Sequence, residues 1–444
     1  MRRTGMGSTK HVVFGAVAAA LFGYSGVSHA APSGWSYNIP SSVSSYWDST
    51  AQKQYVFYID AWGNTQAITH VNNSPWTVVT IAAQSAQFHC GVGTTMAAYY
   101  DGGTGHLYCL APAPGGDLLE FEGSPPTMHA DITNISTSPP AKGPGHTYTT
   151  CEGRGCLEND GWEYPGSLAG YFVPSGNPNA GAHIFYTGNN DASLHEAVYA
   201  SYFWTDTAIE PGYPQPWAPG QLYASSGQGM AALWDGSAGH VYYIDDDVNN
   251  NRNLIQAYNT GTGWATTYLA TWGGSGSAGY VPQSFLVASS PQQGYQTVLG
   301  APLNGNETYS YKFTGTWTNG TMNSANLSSS GPMVSYTTGS LTQYFYVDTN
   351  GHVHDYVDGI DLTTYTGALA INWDGNYPFS PPPPELYCGY SKMTGFWDGA
   401  CRHVFYIATD SHIHEMYSCE SSGASWYEHD LFAGLSPAPT PAAD

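Results

Sequence analysis

The chain has 444 residues and a formal net charge of −23, with 10 Lys or Arg against 33 Asp or Glu. So few cations exclude a nucleic-acid binder, which needs them to displace counterions from phosphates, and argue against docking on anionic lipid. A hydrophobic fraction of 41%, with 14 Trp, 35 Tyr and 15 Phe, excludes a disordered chain, and the Tyr- and Gly-rich, charge-poor composition points to a secreted all-β protein.

In chain order, residues 1–30 read as a signal peptide. Arg2, Arg3 and Lys10 precede an apolar run over 12–27, and Ser28-His29-Ala30 offers a small-residue cleavage site. A secreted or periplasmic location follows, and with it an environment that can oxidise the seven cysteines. Cys151 and Cys156 enclose only a Glu-Gly-Arg-Gly stretch and are expected to pair. Cys90 and Cys109 are a second expected pair, while the pairing of Cys388, Cys401 and Cys419 stays open. No later segment is apolar for long enough to span a membrane.

Residues 31–435 read as one domain built of repeats. The first copy holds Trp47-Asp48, then Phe57-Tyr58, then Trp76. The second runs over 96–110 and carries Asp101-Gly102 and His106. The third has His183, Phe185-Tyr186, His195-Glu196 and Trp204; the fourth has Trp234-Asp235-Gly236, His240, Tyr242-Tyr243 and Trp264. A faint fifth lies at 285–287, 296–299 and Trp317. The sixth holds Phe345-Tyr346 and His354-Asp355, and the seventh Trp397-Asp398-Gly399, His403, Phe405-Tyr406, His414-Glu415 and Trp426.

Each copy predicts four strands: one ending in an aromatic-Asp turn, one with the aromatic pair, one with the acid, one opening on Trp. A lone four-stranded sheet cannot bury both faces, whereas a ring of such sheets can. The expectation is a β-propeller of seven blades, or six if 285–317 is not a true repeat, with no helix longer than about two turns. Residues 34–39 read as a strand that helps close the ring, 141–166 as an insert, 381–384 as a polyproline connector, and 436–444 as a disordered tail.

These phrases resemble the repeat of the Aleuria-type fucose-binding β-propeller lectins, over most of the chain. In that family an Arg on the second strand and a Glu on the third bind sugar hydroxyls, and a Trp from the next blade stacks on the ring. The resemblance puts His106, His183, His240 and His403 at the Arg place, Glu120, Glu196, Asp355 and Glu415 at the Glu place, and Trp204, Trp264, Trp426 and Trp76 as the following blade's rings. Gln256 takes the acid's place in the fourth copy, and Tyr55, Gln296 and Gln343 stand at the Arg place elsewhere. No blade keeps the Arg, although Arg402 precedes the place by one residue. His for Arg removes the forked donor, so the resemblance implies a lectin for neutral glycans without carrying fucose specificity.

Other features read as scaffold. The recurring His can fix blade geometry, since a neutral imidazole both donates and accepts. His352/His354 and His412/His414 each put two imidazoles on one strand face, a spacing that can hold a metal, but the sequence identifies no third ligand and none is assigned. Residues 245–251, an Asp- and Asn-rich stretch, read as a solvated turn, and the aromatic-Asp-Gly turns as hairpin chemistry. No cofactor is implied. The rival readings are a polysaccharide-degrading enzyme, with its site in the insert around His146, Tyr148, Glu152, Arg154, Glu158 and Asp160, and a protein-interaction scaffold.

Overall fold

The computed structural model describes residues 43–132, 168–210, 230–272, 286–371 and 393–435, apart from shorter connecting segments inside those ranges. They form seven four-stranded antiparallel sheets, each laid out in chain order. Blade 1 comprises β1 (Val43–Asp48), β2 (Lys53–Ile59), β3 (Thr65–Val71) and β4 (Thr77–Ala82). Blade 2 is β5 (Met96–Tyr100), β6 (Gly105–Leu110), β7 (Leu118–Gly123) and β8 (Pro126–Asp131). Blade 3 is β9 (Leu168–Val173), β10 (Gly181–Thr187), β11 (Leu194–Ala200) and β12 (Phe203–Glu210). Blade 4 is β13 (Met230–Trp234), β14 (Gly239–Asp246), β15 (Arg252–Asn259) and β16 (Trp264–Trp272). Blade 5, the faint copy, is β17 (Leu286–Ser289), β18 (Gln296–Gly300), β19 (Thr308–Phe313) and β20 (Trp317–Met322). Blade 6 is β21 (Met333–Thr338), β22 (Leu341–Val347), β23 (Val353–Asp355) and β24 (Ile360–Asp361). Blade 7 is β25 (Met393–Trp397), β26 (Cys401–Ile407), β27 (Ile413–Cys419) and β28 (Tyr427–Asp430).

The first strands stand side by side round the ring, from β1 through β5, β9, β13, β17 and β21 to β25, which meets β1 again. Seven blades are therefore present and six are excluded. Blades 1 and 7 each draw four strands from their own stretch of chain. The signal peptide, the 34–39 strand, the 141–166 insert with Cys151 and Cys156, the 381–384 connector and the 436–444 tail lie outside the described residues.

Packing between blades explains the sequence pattern. The second strands of blades 1 and 7 have a neighbouring blade on both faces, so polar alternation disappears there: Tyr55 to Ile59 and Val404 to Ile407 are all buried. One core cluster joins Tyr46, Phe57 and Ala67 of blade 1 to Met96, Leu107 and Phe121 of blade 2. Close approach requires glycine at Gly105, where an added Cβ would lie 1.8 Å from the Tyr46 hydroxyl. Cys90–Cys109 and Cys401–Cys419 are disulfides, the first as expected and the second settling a pairing that the sequence left open.

Blade 6 departs from the repeat. Its fourth strand is two residues long and runs straight into α1 (Leu362–Thr366), whose N-terminus is capped by the Asp361 side chain and whose C-terminus stops at Gly367 with φ 74°. Among the described residues no helix is long and apolar enough to cross a membrane.

Candidate functional site between the blades

The site is built at each blade's hairpins. The aromatic-Asp turn after the first strand uses one carboxylate oxygen to hold the backbone: Asp398 Oδ1 accepts the N–H groups of Ala400 and Cys401, and Asp101 Oδ1 those of Gly103 and Thr104. This is the hairpin chemistry that the sequence predicts. The other oxygen does something the sequence reading missed. It meets the recurring histidine five residues on: Asp398 Oδ2 lies 3.2 Å from His403 Nε2, Asp235 Oδ2 3.1 Å from His240 Nε2, and Asp101 Oδ2 3.4 Å from His106 Nε2.

The second imidazole nitrogen faces the acid on the third strand of the same blade. His403 Nδ1 lies 2.7 Å from Glu415 Oε1, His183 Nδ1 2.7 Å from Glu196 Oε1, and His106 Nδ1 3.0 Å from Glu120 Oε1. In blade 4, Gln256 meets His240 Nδ1 at 2.8 Å. His183 Nε2 turns instead to the Asn179 carbonyl at 2.8 Å. Both nitrogens of all four histidines thus have protein partners. Burial opposes protonation of His403, but its bonds to Asp398 and Glu415 outweigh that and hold it at about 9.

The expected tryptophans do come from the following blade. Each meets a second-strand aromatic edge-on: Trp204 on Tyr108 at 6.0 Å, Trp264 on Phe185 at 5.5 Å, Trp426 on Phe345 at 5.7 Å and Trp76 on Phe405 at 6.4 Å. Trp317 repeats the contact on Tyr242. Exposure divides them. Trp204 is 1% and Trp426 3% exposed, whereas Trp264 and Trp76 are half-buried.

The acids divide as well. Glu120 accepts from Tyr108 at 2.7 Å besides His106, and its second oxygen lies 2.7 Å from His129. Glu196 Oε2 accepts the Trp264 indole N–H at 2.8 Å. Asp355 Oδ1 holds the Val357 and Asp358 backbone N–H groups, and its Oδ2 faces the Arg402 guanidinium at 3.3 Å. Burial, with the Asp358 charge nearby, pushes Asp355 up to about 6 against the pull of those backbone bonds and Arg402. Arg402 also reaches Asp358 at 2.8 Å and stacks over Trp426 at 4.9 Å. Arg402, on β26 of blade 7, therefore meets two acids of blade 6 and the Trp of its own blade.

The blade 7/blade 1 groove differs. Glu415 Oε1 belongs to His403, while among the described residues Oε2 meets only His429, at 3.5 Å, and the His429 side chain is 53% exposed. His70 stacks on Trp76 at 4.6 Å, and Tyr417 packs against Tyr427 and His429 at 5.4 and 4.9 Å. Tyr427 is exposed. His70, His429 and Tyr427 escaped the sequence reading because they sit outside the motif, on strand positions that only the blade pairing brings together.

The fold and this repeated groove define a seven-bladed β-propeller with an acid and an aromatic ring at several blade junctions. No family model matches the sequence, and no curated protein matches it. Among solved structures, the fucose-specific lectin from Aleuria aurantia is 15% identical, with a TM-score of 0.44, covering 92% of this chain and 99% of its own. AofleA from Arthrobotrys oligospora is 15% identical at a TM-score of 0.43, with 71% and 82% covered. A puromycin-hydrolyzing peptidase from Mycobacterium tuberculosis is 10% identical at a TM-score of 0.49, with 88% of this chain and 52% of that one covered. The Aleuria aurantia lectin has six blades, one fewer than this chain.

Proposed function

We propose that this protein is an extracytoplasmic lectin-like propeller that takes neutral glycans in its inter-blade grooves, chiefly between blades 7 and 1 and secondarily between blades 3 and 4. The observation that carries the reading is Glu415 Oε2, which among the described residues has only a long contact to His429, beside the half-buried Trp76. A pyranose has an apolar C–H face and a polar hydroxyl edge. Trp76 covers the face, and Glu415 accepts a hydroxyl proton with charge assistance. The histidines act as positioning residues that aim the carboxylates. Trp264 offers the second open ring, at Glu196. The Glu120/Trp204 and Asp355/Trp426 junctions keep the same parts in closed form and bind more weakly. Several shallow sites on one rigid ring gain avidity against a multivalent glycan. A net charge of −23 disfavours acidic sugars. The two disulfides support a location outside the reducing cytoplasm.

The test is a glycan array of neutral and acidic saccharides, run beside a reducing-sugar release assay. Binding of neutral glycans without release supports the reading, and release would replace it with an enzyme. Neutral-glycan binding that survives Glu415→Gln and Glu196→Gln combined would overturn these grooves as the site, and no binding to any glycan would overturn the reading in favour of a protein scaffold.

A further inference from the structure

At the opposite end of β26 from the Asp398 turn, the hairpin into β27 gathers four ligand-type side chains. His412 Nδ1 lies 2.9 Å from Asp430 Oδ2 and 3.6 Å from Asp410 Oδ2, and His414 Nε2 lies 3.1 Å from Asp410 Oδ2. One ligand atom from each of Asp410, His412, His414 and Asp430 falls within 4.8 Å of all the others. A tetrahedral zinc site with bonds of roughly 2.0–2.1 Å has ligand–ligand edges of about 3.3 Å, close to the 2.9, 3.6 and 3.1 Å pair distances above.

The other atoms of three of these ligands are already fixed. Asp410 Oδ1 accepts the His412 backbone N–H, and Asp430 Oδ1 accepts those of Phe432 and Ala433. His414 Nδ1 donates to Glu428 Oε1, so its Nε2 is the nitrogen turned toward the cluster. A carboxylate behind a ligating imidazole is the usual outer support of a metal centre. His414 is 5% exposed, while Asp410 and His412 are 31% and 36%, so the cluster has a buried wall and an open mouth.

Blade 1 shows that the hairpin does not need imidazoles to close. At the same corner Asp60 accepts from Asn64 Nδ2 at 2.9 Å and Gln66 Nε2 at 3.0 Å, both neutral amides. Blade 6 has the same residue types as two separate pairs, His352 with Asp361 at 3.0 Å and His354 with Asp348 at 3.2 Å. In blade 7 the pairs merge into one cluster.

We propose that Asp410, His412, His414 and Asp430 form a binding site for one divalent transition ion of the zinc type. Two imidazoles and two carboxylates suit Zn2+ better than Ca2+ or Mg2+, which take all-oxygen shells. The ion would tie the β26–β27 hairpin to β28, the last strand of the ring.

The full chain, stripped with chelator, is titrated with Zn2+ by calorimetry and with Co2+ by visible absorption. One Zn2+ per chain, the visible bands of four-coordinate Co2+ and a melting temperature that rises with Zn2+ are expected. His412→Ala and Asp430→Asn should each abolish the Co2+ bands, and Glu428→Gln should weaken Zn2+ by about 10–100-fold. Asn at 430 keeps an oxygen for the Phe432 and Ala433 turn, so that variant separates lost ligation from lost folding. His352→Ala should leave the titration unchanged. The proposal is overturned if the wild type takes up no Zn2+, if Asp430→Asn and His412→Ala bind it as the wild type does, or if His352→Ala is the variant that loses it.

Discussion

His403 and Glu415 are bonded at 2.7 Å although each is at most 4% exposed, and the imidazole's other nitrogen lies 3.2 Å from Asp398. They are diagonal neighbours across β26 and β27, where His403 stands opposite Tyr417 and Glu415 opposite Phe405. The pair is therefore set by hairpin register and belongs to the blade's interior. Removing the imidazole leaves Glu415 with only its long contact to His429 and takes a partner from Asp398. His403→Ala should lower unfolding stability by about 3–5 kcal/mol in a urea titration. Unchanged stability with lost glycan affinity would make His403 a ligand donor instead.

Trp76 and Trp204 occupy equivalent places but differ in burial, so they should respond differently. Trp204→Ala opens a cavity against Tyr108 and Tyr199 and should cost about 3–5 kcal/mol of stability. Trp76→Ala should cost less stability and weaken neutral-glycan binding by about 1 kcal/mol or more. Paired denaturation and binding curves for the two variants check this, and an identical stability loss would refute the division.

The His106–Glu120 pair predicts a pH dependence with two limbs. Burial works against His106 protonation, but the bond to Glu120 prevails and raises it above 6.5; burial likewise opposes Glu120 ionisation, and the bonds from His106, Tyr108 and His129 lower it below 4.5. A raised histidine stabilises fully below its unfolded value and fades as pH climbs through its folded one. A lowered carboxylate stabilises above its unfolded value and fades as pH falls through its folded one. The stability difference between wild type and Glu120→Gln should therefore peak between pH 4.5 and 6.5 and shrink on both sides. A flat difference across pH 3–9 would remove the pair as its source.

Gly105→Ala should destabilise by about 1–3 kcal/mol, because the new methyl would sit 1.8 Å from the Tyr46 hydroxyl. That hydroxyl is buried with no hydrogen-bond partner, so Tyr46→Phe costs nothing on its own and should recover part of the loss in the double variant. Additive effects in a double-mutant cycle would show that the two residues do not touch in solution.

The repeat was legible in the sequence because each blade must bury both faces of one sheet, and that demand stamps the same aromatic, Asp-turn and Trp cadence on every copy. It determined the propeller and the strand on which each His, acid and Trp falls, with seven blades expected and six left open. The faint copy at 285–317 became a blade only in the structure, where β17 to β20 form a sheet and Trp317 keeps the place that Trp76, Trp204, Trp264 and Trp426 hold elsewhere. What each residue is free to do was decided only in three dimensions. His403 and Glu415 are twelve positions apart, and Asp410 and Asp430 twenty, so their meeting depends on hairpin register rather than on local pattern. The sequence shows His412 and His414 as a lone pair; the pairing of β27 with β28 supplies Asp430. Exposure is likewise set by neighbours, since Arg402 reaches from β26 to cover Trp426 and Asp355, and nothing in either motif announces it. A short repeat fixes which strand a side chain occupies, whereas burial and unspent hydrogen bonds depend on the blade next door.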